Sequence, residues 1–175
     1  ISPEELRPLM NKDAIMKASG LLSAANKLIP KNPNKVVFYS NMGFRDNAKA
    51  IYDYMVSRDC SQYQIICAIN DWEDFASRPH LDNVRFVSPK AGVKHFFTAK
   101  YFFFSFGKYP IKPSSKQVVI NTTHGSPLKK IGNFLDDRDY NFFTYVLAAS
   151  DFFAPIIQKS FGCRREQVKI CGHPR

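Results

Sequence analysis

Long apolar runs are missing from this chain. No stretch reaches the roughly 18 residues that cross a bilayer as a helix, and the greasiest segment, Tyr101 to Phe106, has the length of a buried strand. No signal peptide opens the sequence. Cysteine is scarce: Cys60, Cys67, Cys163 and Cys171 form no C-x-x-C pair, so free thiols are expected rather than a disulfide framework. His80, His95, His124 and His173 stand far apart, with no H-x-x-x-H and no cysteine cluster, which leaves a metal site without support. P-loop, G-x-S-x-G, paired-carboxylate and G-x-G-x-x-G signatures are absent as well.

What is present is a globular composition. Of 175 residues, 45% are apolar and 14% aromatic, enough for a real core in one domain or a tight pair. Lysine and arginine exceed aspartate and glutamate by 25 to 15, a net charge of +10. That surplus suits an anionic partner: nucleic acid, a phospholipid surface or a phosphorylated substrate. The chain starts at Ile1 and stops at Arg175 without a closing element, as expected of a piece of something longer.

Periodicity predicts a helix over Asp13 to Ile29, with Ile15, Ala18, Leu22, Ala25 and Ile29 on one face. Such a face packs on its own domain, or lies on an anionic membrane with Lys17, Lys27, Lys31 and Lys35 at the headgroups. After a linker at Lys31 to Lys35 the pattern alternates. Strands are predicted at Val36–Ser40, Gln64–Ile69, Val84–Val87, Tyr101–Ser105, Gln117–Asn121, Tyr145–Ala149 and Val168–Cys171. Helices are predicted after Asp46 or Asn47 as cap, over Lys90–Ala99, over Ser126–Asn133 and over Phe152–Phe161, and Trp72 after Asn70-Asp71 anchors a helix start. Solid apolar strands alternating with helices mean a parallel sheet covered on both faces, a doubly wound, Rossmann-like α/β fold. Its working loops lie beyond the carboxyl ends of the strands: here 41–47, 106–115 and 122–130.

The sharpest chemical feature is Asn121-Thr-Thr-His124-Gly125-Ser126-Pro127-Leu128-Lys129-Lys130. An imidazole directly after a strand and before a helix start can take a proton from an alcohol, while free amides and Lys129 favour a phosphate. A loop hydrogen bond for His124 is the plainer alternative, and spacing leaves both open. The turn Ser40 to Lys49 carries Gly43, expected at positive φ, and Asp46, expected as a cap; as a phosphate cradle it is weak. Lys94, Lys100, Lys108, Lys112 and Lys116 interleave with aromatics such as Phe96, Phe97 and Phe106. Those rings must supply the core, which argues against base stacking and nucleic-acid binding.

Three phrases together resemble the CDP-glycerol glycerophosphotransferase family, the teichoic-acid primases and polymerases of bacterial cell envelopes. Phe38-Tyr-Ser-Asn-Met-Gly43-Phe-Arg-Asp46-Asn47-Ala-Lys49-Ala-Ile51-Tyr52-Asp-Tyr54 is similar to that family's opening motif, and Thr123-His124-Gly125-Ser126-Pro127-Leu128-Lys129-Lys130-Ile131 to its W-H-G-T-P-L-K-K-I signature. Phe161-Gly162 through Gly172-His173-Pro174-Arg175 is similar to its G-x-P-R segment. Thr123 replaces the usual tryptophan, and His173 stands where tyrosine is common. The resemblance implies a GT-B-like enzyme of two Rossmann-like halves, of which residues 1–34 are an amphipathic helix and linker and 35–175 the N-terminal, acceptor-side domain. It implies transfer of glycerol or ribitol phosphate from a CDP-polyol donor to a hydroxyl of a lipid-linked acceptor, without a metal or other cofactor, at the cytoplasmic face of the membrane. His124 would be the general base, with Gly43, Asp46, Asn47, Gly125, Ser126 and Lys129 binding substrate or phosphate and Lys17, Lys27 and Lys31 facing the membrane. Residues 1–175 alone would be inactive and bind the donor weakly. A non-catalytic membrane or polymer-binding module and a nucleotide-sugar glycosyltransferase are the competing readings.

Overall fold

The computed structural model describes residues 18–106 and 109–175. Helix α1 covers 18–28 of these; Lys17, Ile15 and Lys108, named above, lie outside them. Then follow β1 (Asn32–Ser40), α2 (Asp46–Val56), β2 (Gln64–Ile69), α3 (Trp72–Ala76), β3 (Val84–Val87), α4 (Pro89–Thr98), β4 (Ala99–Phe104), β5 (Val118–Asn121), β6 (Tyr145–Ala148), α5 (Ala154–Phe161) and β7 (Val168–Ile170). The seven strands form one sheet in the order β3-β2-β1-β4-β5-β6-β7, and every neighbouring pair is parallel. The doubly wound expectation holds. The order reverses between β1 and β4, the crevice where such sheets usually receive ligands.

Alternation along each strand splits the core in two. Val37, Ile66, Phe102, Phe104, Val119 and Val146 share one cluster with Phe96 of α4 and Ile157 of α5. Val36, Phe38, Ile65, Cys67 and Phe86 share the other with Ala48 and Tyr52 of α2. Both faces being covered, the strands are apolar throughout, as side-chain period two requires of a fully buried sheet. Helix α4 approaches so closely that a Cβ on Gly92 would stand 2.4 Å from that of Ala68. Most of the aromatics read as core from the sequence are core, with Phe96, Phe102 and Tyr109 within 4.6–4.8 Å of one another, centroid to centroid; Phe106 is the exception and lies on the carboxyl rim.

Three expectations need correction. The linker at Lys31 to Lys35 is largely strand, since β1 starts at Asn32 and pairs with Ala99 before a register break ahead of Val36. Helix α1 does not bury its apolar stripe: Ala18, Leu22 and Ala25 are exposed, as are Leu21 and Leu28 beside them, whereas Asn26 is fully buried. The reason is polar. Carbonyls and a glutamine at the amino end of the sheet need donors, and Asn26 Nδ2 supplies Lys112 O at 3.0 Å and Gln117 Oε1 at 2.6 Å. Gln117 Nε2 in turn donates to Phe96 O and Ala99 O. Finally, the helix expected over Ser126–Asn133 is absent; only a 3-10 turn at Gly132–Phe134 forms. Pro127 disfavours helix at Ser126, Gly125 and Gly132 sit at φ 141° and 54°, and Leu128, 97% exposed beside exposed Lys129 and Lys130, offers no apolar face.

Candidate active site at the carboxyl end of the sheet

His124 follows β5 on the carboxyl rim, exposed to solvent. Its ring lies on that of Phe106, centroids 5.1 Å apart and planes 20° from parallel. Phe106 opens the loop after β4, one of the three working loops expected from the sequence, although its ring was assigned to the core rather than to His124. Beside His124 opens a cavity of about 480 Å³. Thr123, Ser126 and Lys129 give it a polar side, and Ile131, Ile157 and Phe161 an apolar one. With the 126–133 helix gone, the argument from its free amides goes too. Ser126, Gly125 and Lys129 remain as lining groups of an irregular loop.

The loop after β1 is tied from within. Gly43 takes φ 84° as expected, Ser40 Oγ donates to Gly43 O at 2.5 Å, and both carboxylate oxygens of Asp71 accept from Phe44 N at 3.1 Å. Neither Asp46 nor Asn47 caps α2: Arg45 occupies that position without a side-chain cap bond. Asp46 instead sits at φ 62° and receives Arg175 Nη1 at 2.6 Å. Asn47, assigned above to substrate, is fully buried, and its Nδ2 donates to Thr122 O at 3.0 Å and Thr123 O at 3.2 Å. Its Oδ1 is buried without a hydrogen-bond partner among the described residues. Thr123 adopts φ 55°, a left-handed conformation costing a β-branched residue roughly 1–3 kcal/mol.

The tail after β7 closes the arrangement. Ser126 Oγ and His173 Nε2 are 3.2 Å apart, so the third phrase meets the second through His173 and the first through Arg175. All three sequence phrases converge on one rim, although 129 positions separate Asp46 from Arg175 (175 − 46). Of the basic residues assigned to a membrane, Lys27 is exposed on α1. Lys31 is a correction: its Nζ donates to Asn26 O, Asn26 Oδ1 and Phe97 O at 2.6–2.8 Å, and burial, then Lys116, pushes its pKa down. All four cysteines are free, and no group of three or more metal-ligating side chains occurs among the described residues.

The sequence pattern of the family described as CDP-Glycerol:Poly(glycerophosphate) glycerophosphotransferase matches residues 21–175. The chain belongs to this family. A glycerophosphotransferase relative, the teichoic acid glycerol-phosphate transferase of Staphylococcus aureus (strain NCTC 8325 / PS 47), is 26% identical over 174 residues, covering 85% of this chain and 43% of that protein. The teichoic acid poly(glycerol phosphate) polymerase of Bacillus spizizenii (strain ATCC 23059 / NRRL B-14472 / W23) is 32% identical over 117 residues, covering 63% and 29%. The solved wall teichoic acid polymerase TagF shares the fold at a TM-score of 0.70 and 18% identity, over 97% of this chain and 46% of that one. A TagF variant soaked with CDPG gives a TM-score of 0.71 at 17% identity, over 97% and 46%. The chain thus spans less than half the length of the curated relatives it matches.

Proposed function

We propose that this chain is the acceptor-side half of a glycerophosphotransferase that uses CDP-glycerol and extends a cell-surface polymer, with His124 as general base. The observation that carries the reading is the exposed imidazole of His124, seated on Phe106 at the mouth of the rim cavity. An acceptor hydroxyl attacks the phosphorus that bears glycerol. The new P–O bond forms as the bond to CMP breaks, CMP leaves with the electron pair, and the hydroxyl proton passes to the imidazole. Deprotonation of this kind contributes roughly 10²–10⁴-fold; charge stabilisation at the phosphoryl group carries much of the rest. Lys129 on the cavity wall is a cation suited to that task. Family membership favours glycerol over ribitol. CDP-glycerol as donor is supported by the family description and by the CDPG soak of the structural relative.

The acceptor we propose is lipid-linked and the protein peripheral on the cytoplasmic membrane face. Support comes from α1, which turns Leu21, Leu22 and Leu28 outward with Lys27 beside them, and from the charge of +10. An apolar helix face flanked by lysine suits anionic headgroups. No helix among the described residues is long and apolar enough to cross a membrane.

The test is His124→Ala in the full-length enzyme. Turnover of CDP-glycerol should fall by about two orders of magnitude or more while donor affinity stays nearly intact. A variant keeping more than about a tenth of kcat removes His124 from the role.

A further inference from the structure

Asn47 never sees solvent, yet it touches the backbone one residue before His124. The peptide units of Thr122 and Thr123 are gripped from several directions. Thr122 N donates to Phe104 O at 2.8 Å, Thr123 N to Asn121 Oδ1 at 3.0 Å, and the Thr122 hydroxyl meets Ser105 Oγ at 2.8 Å. Ser105 Oγ also accepts from Ala48 N at 3.1 Å. Thr123 Oγ1 donates to Thr122 O at 2.7 Å and Thr122 Oγ1 to Thr123 O at 3.4 Å, but among the described residues Asn47 alone reaches both carbonyls from outside this loop, and these are the groups whose direction changes if φ of Thr123 leaves the left-handed region. A β-branched residue stays there only when its surroundings over-determine it. Asn47 is suited to this: its amide offers two donors on one rigid plane, delivered from the first turn of α2 across the crevice between β1 and β4.

We propose that Asn47 is a positioning residue, whose amide clamps the Thr122 and Thr123 carbonyls and so holds the left-handed turn that presents His124 to the acceptor. The proposal rests on the reading of His124 as base. It gives Asn47 of the first sequence phrase a task performed through the second phrase rather than on a ligand. The clamp fixes geometry and leaves donor binding alone.

The test uses the full-length enzyme, with Asn47→Asp, which removes both donors at nearly constant volume, and Asn47→Ala. Each folded variant should lose about tenfold or more in kcat, while KM for CDP-glycerol moves by less than about twofold. Adding Thr123→Gly to Asn47→Ala should recover part of the lost kcat, because glycine adopts positive φ without the clamp. Unchanged kcat in a folded Asn47 variant overturns the proposal. So does a raised KM at constant kcat, and so does a double variant no better than Asn47→Ala. If both Asn47 variants fail to fold, Asn47→Ser, whose short hydroxyl cannot reach both carbonyls, decides: a lowered kcat at unchanged KM for CDP-glycerol supports the clamp, and an unchanged kcat overturns it. His124→Gln runs in parallel. An active His124→Gln beside an impaired Asn47→Ala condemns the base reading; an inactive His124→Gln beside a fully active Asn47→Ala condemns the clamp alone.

Discussion

The imidazole of His124 and the phenyl ring of Phe106 are stacked, 5.1 Å between centroids and 20° between planes. Phe106 lies at the start of the loop that leaves β4 and His124 at the start of the loop that leaves β5, so the stack joins adjacent strand ends. An offset aromatic contact adds about 0.5–1.5 kcal/mol beyond its area. Phe106→Ala should therefore lower kcat by about threefold to tenfold through a loosened base, with Phe106→Tyr close to the natural enzyme. Steady-state rates with CDP-glycerol check this; a Phe106→Ala enzyme at full kcat would show that the ring needs no seat.

A second expectation concerns pH. Burial, then the neighbouring cations Lys35, Lys94 and Arg85, lowers the pKa of His95 on α4 to about 4, against an ordinary 6.5. On acidification the unfolded chain takes up this proton first. Between pH 6.5 and about 4 the unfolded state holds more protons, so stability falls as pH drops through that window and this contribution levels off below it. Melting temperatures from pH 7.5 down to about 4 should show the decline, and His95→Gln should flatten it. An equally steep decline in His95→Gln would assign the effect elsewhere.

Lysines four residues apart on either side of the end of α1 should behave oppositely. Lys31→Ala strips the ammonium that bridges two acceptors on Asn26 of α1 to Phe97 O at the end of α4, and should cost about 1–3 kcal/mol in urea unfolding. Lys27→Ala should leave stability within about 0.5 kcal/mol. On anionic vesicles the order reverses: Lys27→Glu, and Leu28→Asp more so, should weaken salt-sensitive co-sedimentation. Vesicle binding that ignores both substitutions would detach α1 from any membrane role.

How much of this was legible in the sequence follows from what each signal measures. The seven strands were readable because burial on both faces makes them continuously apolar, and Val36–Ser40 or Gln64–Ile69 have no alternative as amphipathic helices. Helix α1 misled because periodicity reports which residues share a face, not which face turns inward; the donors demanded by Gln117 and the Lys112 carbonyl decided that. Ser126–Asn133 resembled a helix through Pro127 and its lysines, but lacked an apolar stripe to hold one. At the site, His124 was visible as a titratable group after a strand. Asn47 was visible as a motif position while its hold on the Thr122 and Thr123 carbonyls was not, because a side chain that serves a backbone looks in sequence like one that serves a substrate. Phe106 and the Arg175–Asp46 pair depend on how distant loops come to rest, which no local pattern encodes.

The polar bridge from α2 to the ends of β4 and β5 also changes where a visitor can stand. In sheets of this topology the gap at the reversal of strand order is the usual berth for a nucleotide. Here Asn47 spends its amide on the Thr122 and Thr123 carbonyls and Ser105 Oγ takes Ala48 N, so the open space on this rim lies toward β5, in the cavity beside His124.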